Sequence, residues 1–196
     1  MIRRLRDRLA DDSGITLSEV IVVALLAVLV LGAVGGAYIG SIGVQKLVGS
    51  LTQATAGGQL VAASIDRSIR NGSEFEITTL PSGDQLVRIR SIDASEGAVW
   101  HCVAYYYSAS EATIRTHTEA DDTVIDVPAA ETLATWTLLA QRVALGEAAA
   151  VFGVDPNATT VLAVDFTTVD ADDAGVARIK FSTPLMPEAE PEGSCF

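Results

Sequence analysis

The sequence predicts an α+β protein: a long N-terminal α-helix, apolar enough in its first half to lie in a membrane, packed through its second half on an antiparallel β-sheet. Three observations predict it. Between Val20 and Val44 the only polar side chains are Tyr38 and Ser41. Beyond that run, apolar residues continue at roughly helical spacing as far as Ile69. From Ser73 onward the pattern becomes short alternating segments separated by turn residues.

The apolar run comes first. It is about 25 residues long, and a helix of about 20 crosses the hydrocarbon layer. Arg3, Arg4, Arg6 and Arg8 precede it, interspersed with Asp7, Asp11 and Asp12. Membrane orientation follows Lys and Arg and largely ignores acids. The first dozen residues are therefore expected in the cytoplasm, and everything after about Lys46 outside it. Leu47, Val48, Leu51, Ala54, Leu60, Val61, Ile65 and Ile69 then form an amphipathic continuation that ends at Asn71-Gly72. A single helix from about residue 15 to 70 would be ~80 Å long at ~1.5 Å per residue.

The strands follow. "SEFEITTL" sets Phe75 and Ile77 against Glu74 and Glu76, "PSGD" is a turn, and "QLVRIRSI" alternates again. "AVWHCVAYYYS" is aromatic and branched, with "ATIRTHT" as its hairpin partner. "TVLAVDFTTV" and "GVARIKFST" flank the turn "DADDAG" as a last hairpin. Residues 121–153 read either as a helix or as a covering loop with a short strand. The tail "PLMPEAEPEGSCF" reads as an irregular strap. No internal repeat and no second core is visible. A long helix laid on one antiparallel sheet uses every segment.

Charge and composition exclude several chemistries. The net charge is -12, and the part after Gly14 carries 9 basic and 22 acidic residues. Such a surface repels nucleic acid, so no direct nucleic-acid binding is expected. Outside the cytoplasm the two cysteines, Cys102 and Cys195, read as a disulfide. They lack metal-ligand spacing with His101 and His117, so no metal is expected. In "DADDAG" Ala174 breaks the alternation of a calcium loop and Phe181 stands where its distal Glu belongs, leaving an acidic hairpin turn. Trp100, Tyr105, Tyr106 and Tyr107 read first as core packing, with a sugar or partner patch as the other reading. Three successive tyrosines on a strand face both sides, which leaves at least one of them exposed. No nucleophile motif, carboxylate pair or phosphate loop is present, so neither an enzyme nor a cofactor is expected.

The segment Gly14-Ile15-Thr16-Leu17-Ser18-Glu19, followed by the apolar run, resembles the class III signal of type IV prepilins and pseudopilins. The resemblance implies a leader, 1–14, cleaved by a prepilin peptidase between Gly14 and Ile15. It also implies methylation of Ile15 and retention of Glu19, the fifth mature residue, in the membrane helix. It divides the rest into a transmembrane stem (15–45), an amphipathic helical half (46–72) and an extracytoplasmic β-rich domain with a C-terminal strap (73–196). The implied partners are the peptidase, other pilin or pseudopilin subunits, the membrane assembly platform and the lipid bilayer. The chain departs from the family in carrying Ile15 where phenylalanine is commonest, Ser18 where an apolar residue is usual, and no helix-kinking proline near Gly36. Instead Gly32, Gly35, Gly36, Gly40 and Gly43 crowd one stretch. Each interior glycine costs a helix about 1 kcal/mol relative to Ala, and Gly32, Gly36 and Gly40 also form a small-xxx-small packing series. "SIDRSIRNGSEFEI" and the tyrosine-rich strand resemble minor pseudopilins of the J or W type.

The physical reasoning beside the resemblance concerns Glu19. Cleavage after Gly14 creates an α-ammonium near the lipid boundary, where an isolated charge is costly. A carboxylate beside it neutralises it, and the low dielectric strengthens the pair. If the amine belongs to a neighbouring subunit, the pair sets the assembly register. The alternative function is an anchored or secreted extracytoplasmic binding module or enzyme with an ordinary signal peptide.

Overall fold

The computed structural model describes residues 17–93, 99–121, 123–169, 176–186 and 195–196. Backbone contacts divide the chain into two units, Met1–Lys46 and Leu47–Phe196. Helix α1 covers Leu17–Arg70. At its end Asn71 N donates to Arg67 O at 3.2 Å, and β1 begins at Gly72. A Cβ on Gly72 would lie 2.9 Å from the Ser68 carbonyl oxygen. Glycine is what lets the chain pass so abruptly from helix to strand.

In the second unit a five-stranded sheet runs in the order β1 (Gly72–Thr79), β2 (Gln85–Asp93), β3 (Val99–Ser108), β4 (Thr113–Ala120) and β5 (Thr137–Gln141). Every pairing in it is antiparallel. The one-turn helix α2 (Ala130–Leu133) lies between β4 and β5. A second antiparallel sheet holds β6 (Val143–Leu145), β7 (Phe152–Asp155), β8 (Ala158–Val169) and β9 (Val176–Pro184). The long strand β8 is its centre, with β6 and β7 along one edge and β9 along the other.

The sheet read from the sequence is therefore divided in two, and the division falls at Arg142. This residue has φ 52°; Val143 N donates to Ala112 O, and Val169 N donates to Arg142 O. The chain leaves one sheet and enters the other within a single left-handed residue. Residues 121–153, expected as a helix or a loop with one strand, contain α2, β5, β6 and the start of β7. These strands are only three to five residues long, too short for an alternating pattern to show.

The main core forms where the last turns of α1 meet both sheets. Val61, Ile65 and Ile69, four residues apart, are fully buried. They pack in one cluster with Ile89, Tyr105, Ile114, Phe152, Leu162 and Phe166. Two residues expected in the same stripe fall outside it: Leu60 is 53% exposed and Val48 56%. Leu60 lies about 100° around the helix from Val61, which turns it off the buried face. The side chains of Leu47, Leu51 and Ala54 lie outside the described residues. At Gly58 a Cβ would come within 2.6 Å of Ile179 Cγ1 on β9, so the helix approaches that strand through a glycine.

A smaller cluster covers the other face of the five-stranded sheet. Leu86, Cys102, Ala104 and Tyr106 meet Ile125, Leu133, Trp136 and Cys195 there. This second cover corrects the expectation of an exposed tyrosine. Tyr105 and Tyr107 point into the main core and Tyr106 into the smaller one, and all three are buried.

Candidate functional site

The first unit presents one chemical feature. Residues Leu17–Tyr38 form 22 residues of helix with mean hydropathy 2.8, long and apolar enough to cross a membrane, and the chain buries none of that apolar window. A membrane anchor and a signal sequence both fit that description. Glu19 sits in its first turn, where the positive end of the helix dipole favours a carboxylate. Among the described residues Glu19 has no cationic partner. A Cβ at Gly32, Gly35 or Gly36 would meet nothing within 4 Å, so these positions leave an open surface on the helix. Gly40 lies in the same helix. Gly14, Ile15 and the rest of the leader lie outside the described residues.

The second unit carries the disulfide expected from the sequence, Cys102–Cys195, with its Cα atoms 5.4 Å apart and a sequence separation of 93. Both cysteines are fully buried. Closing a loop of this length constrains the unfolded chain by ~4–5 kcal/mol in the chain-entropy model. Asp121 lies close enough to complete a three-ligand group with the two sulfurs. Because those sulfurs are bonded to each other, they are not thiolate ligands for a metal. The acidic segment 170–175 and the strap residues 187–194 lie outside the described residues. Phe181, in the position a calcium loop would give to its Glu, packs against the main core.

Three polar clamps hold the domain together, and sequence reasoning did not find them. Arg90, 2% exposed, donates from Nε and Nη2 to the two oxygens of Asp121 at 2.8 and 2.7 Å, with its guanidinium 4.4 Å from the Trp100 ring centre. Arg178 pairs with both Glu147 and Asp165. The Arg178 hydrogen bonds hold both carboxyls below their ordinary pKa range, while burial opposes the shift. Gln85, also 2% exposed, joins the two sheets. Its Oε1 accepts from Val151 N and Phe152 N at 2.8 and 3.0 Å, and its Nε2 donates to Phe152 O at 3.1 Å. These groups serve the fold, and none is arranged as a general acid, a base or a nucleophile.

No family model matches the chain, no curated protein matches its sequence, and no solved structure matches its fold. Its class is therefore defined by its architecture: an α+β chain with one exposed apolar N-terminal helix, whose helical continuation packs on antiparallel sheets stapled by a disulfide.

Proposed function

We propose that this chain is a structural subunit, of the minor kind, of a type IV pilus or a secretion pseudopilus, rather than an enzyme. It waits in the membrane as a prepilin, is cut after Gly14, and enters the filament through its N-terminal helix. The observation that supports this reading is the single carboxylate of Glu19 on the first turn of an otherwise unbroken, uncovered apolar helix. An unpartnered charge is expensive at that depth. Cleavage supplies the missing cation as the α-ammonium of Ile15, and a neighbouring subunit's ammonium would turn the pair into a docking contact. The prepilin peptidase, the assembly platform, sister subunits and the bilayer are the partners this requires.

Two measurements test the proposal. The mature protein from the native membrane should lack 14 residues and begin with N-methyl-Ile15. A chain still beginning at Met1, or cut near Ala37, overturns the reading in favour of an anchored or secreted module with an ordinary signal. The Glu19→Ala variant should lose its leader normally yet fail to enter filaments. Normal incorporation of that variant overturns the docking role.

A further inference from the structure

The sequence holds two asparagines, Asn71 and Asn157, and each stands two residues before a serine or threonine. Asn71-Gly72-Ser73 and Asn157-Ala158-Thr159 both match the acceptor pattern for an N-linked glycan, with a residue other than proline in the middle. A pattern of three residues selects nothing by itself. The folded chain separates the two, because an acceptor must enter a transferase with its carboxamide and its hydroxyl both within reach.

Asn71-Gly72-Ser73 is closed. Asn71 is half-buried at the end of α1, where its N donates to Arg67 O at 3.2 Å and its O accepts from Ile92 N at 2.9 Å. Gly72 is buried, pairs with Ser91 of β2, and its carbonyl accepts from Met186 N at 3.0 Å. Ser73 Oγ is buried. Drawing this segment into an enzyme would undo the last turn of the helix and the start of the five-stranded sheet together.

Asn157-Ala158-Thr159 is open. Pro156 and Asn157 form the exposed turn between β7 and β8, and Thr159 is exposed as well. Asn157 N donates to Asp155 Oδ1 at 2.8 Å, while its carboxamide makes no hydrogen bond among the described residues. The ladder is interrupted at this point. Asp155 pairs with Ala158 but Val154 with Leu162, so Thr159, Thr160 and Val161 bulge without a partner on β7. On the other side β9 pairs with β8 only from Val161 onward. Thr159 is therefore free of both neighbouring strands. A polar tip held by so few backbone bonds bends into an enzyme at small cost, which is also why such tips are preferred sites of proteolytic attack. A glycan is bulky and needs a surface position, and this turn supplies one.

We propose that Asn157, and not Asn71, is a glycan-attachment site, modified by an oligosaccharide from a lipid-linked diphosphate donor. In the transfer Asn157 Nδ2 bonds to the anomeric carbon of the sugar, and the bond from that carbon to the donor's diphosphate oxygen breaks. The lipid diphosphate leaves with the bonding electrons, the amide gives one proton to a base of the transferase, and nothing is oxidised or reduced. The site rests on the extracytoplasmic placement of the second unit in the proposed function. The Cys102–Cys195 disulfide agrees with that placement, because disulfides persist in oxidising compartments.

The test isolates the full-length chain from its native membranes and maps its peptides by tandem mass spectrometry. The peptide that contains Asn157 should carry hexose or N-acetylhexosamine units on that residue, and the peptide that contains Asn71 should be bare. Asn157→Gln and Thr159→Val should each abolish the added mass, whereas Thr159→Ser, which keeps the hydroxyl, should retain it. Both side chains are exposed, so these variants keep the fold. In parallel, protease added outside intact cells should degrade the second unit. A second unit that is degraded from outside yet bare at Asn157 in every molecule overturns the inference and leaves the filament reading standing. A second unit shielded from the protease overturns the placement, and the inference with it. A glycan on Asn71, or one on Asn157 that survives Thr159→Val, also overturns the proposal, because attachment would then follow neither accessibility nor the acceptor pattern.

Discussion

Helix α1 is two different objects under one hydrogen-bond pattern. From Leu17 to Tyr38 its large apolar side chains are exposed on every side, Val22 at 56%, Leu26 at 54% and Leu29 at 62%. Near its other end Val61, Ile65 and Ile69 are fully buried, while Gln59, Leu60 and Arg67 face solvent. Each half holds glycines and an acid, but they have opposite surroundings. Gly36 has nothing near it, whereas Gly58 lies against Ile179. Glu19 has no cationic partner among the described residues, whereas Asp66 is bonded to Arg70 and Thr183. The difference teaches that periodicity, not hydrophobicity, marks the half folded by protein contacts. An all-round apolar surface belongs to a helix surrounded by a nonpolar medium, and a single stripe belongs to one lying on a sheet.

The largest expected effect breaks the comparison at its apolar residues. Ile65→Ala deletes buried methyl groups from the main core and should cost about 2–5 kcal/mol. Leu26→Ala removes a comparable side chain that touches no protein core, and should shift domain stability by no more than about 0.5 kcal/mol. Urea unfolding of the full chain in detergent, followed by Trp100 and Trp136 fluorescence, measures both. Equal losses would mean that the two halves do not face different surroundings.

This contrast was legible in the sequence because it is written in local pattern: an unbroken apolar run, then a stripe, then alternation. The disulfide was legible because only two cysteines exist. What the sequence did not reveal depends on partners far along the chain. Gln85 looks like any strand glutamine until the amides of Val151 and Phe152 are brought to it. One of the three tyrosines reads as exposed because nothing local announces that Ile125, Leu133, Trp136 and Cys195 cover Tyr106 on the outer face. The break at Arg142 rests on one residue's backbone angle, for which arginine gives no signal. The hydroxyls of Ser64, Ser68 and Tyr105 meet from a helix and a strand, so no single motif contains them.

The glycines sharpen the comparison at a smaller scale. Adding a methyl group at Gly58 places it against Ile179, and the helix or β9 must give way. Gly58→Ala should therefore cost about 1–3 kcal/mol by overpacking. Gly36→Ala meets nothing and should instead favour the helix by up to about 1 kcal/mol. Opposite signs are expected from the domain's urea midpoint for Gly58→Ala and from the helicity of the detergent-bound chain for Gly36→Ala. A neutral Gly58→Ala would show that the close approach to β9 is not needed for packing.

The acids give the smallest effect, and its sign can be worked out. Asp66 accepts from Arg70 Nε at 2.9 and 2.8 Å and from Thr183 Oγ1 at 2.8 Å. The Arg70 hydrogen bond above all holds its carboxyl below the ordinary range; burial, the next largest influence, opposes the shift, and the bond from Thr183 adds to it. A depressed folded-state pKa means that the unfolded chain binds the proton more readily. The contribution is therefore complete above the ordinary carboxylate value of about 4 and disappears as pH falls through the lower folded value. Asp66 is about one-third exposed and Arg70 more so, so screening limits the contribution to less than about 1 kcal/mol. Asp66→Asn removes this titration while leaving the Glu147–Arg178–Asp165 group to respond to acid. Urea midpoints between pH 7 and about pH 3 should fall slightly less steeply for the variant than for the parent, with the gap closing once both are fully protonated. Superimposable profiles would mean that the Asp66 contact adds nothing to the half of the helix that the sheets hold.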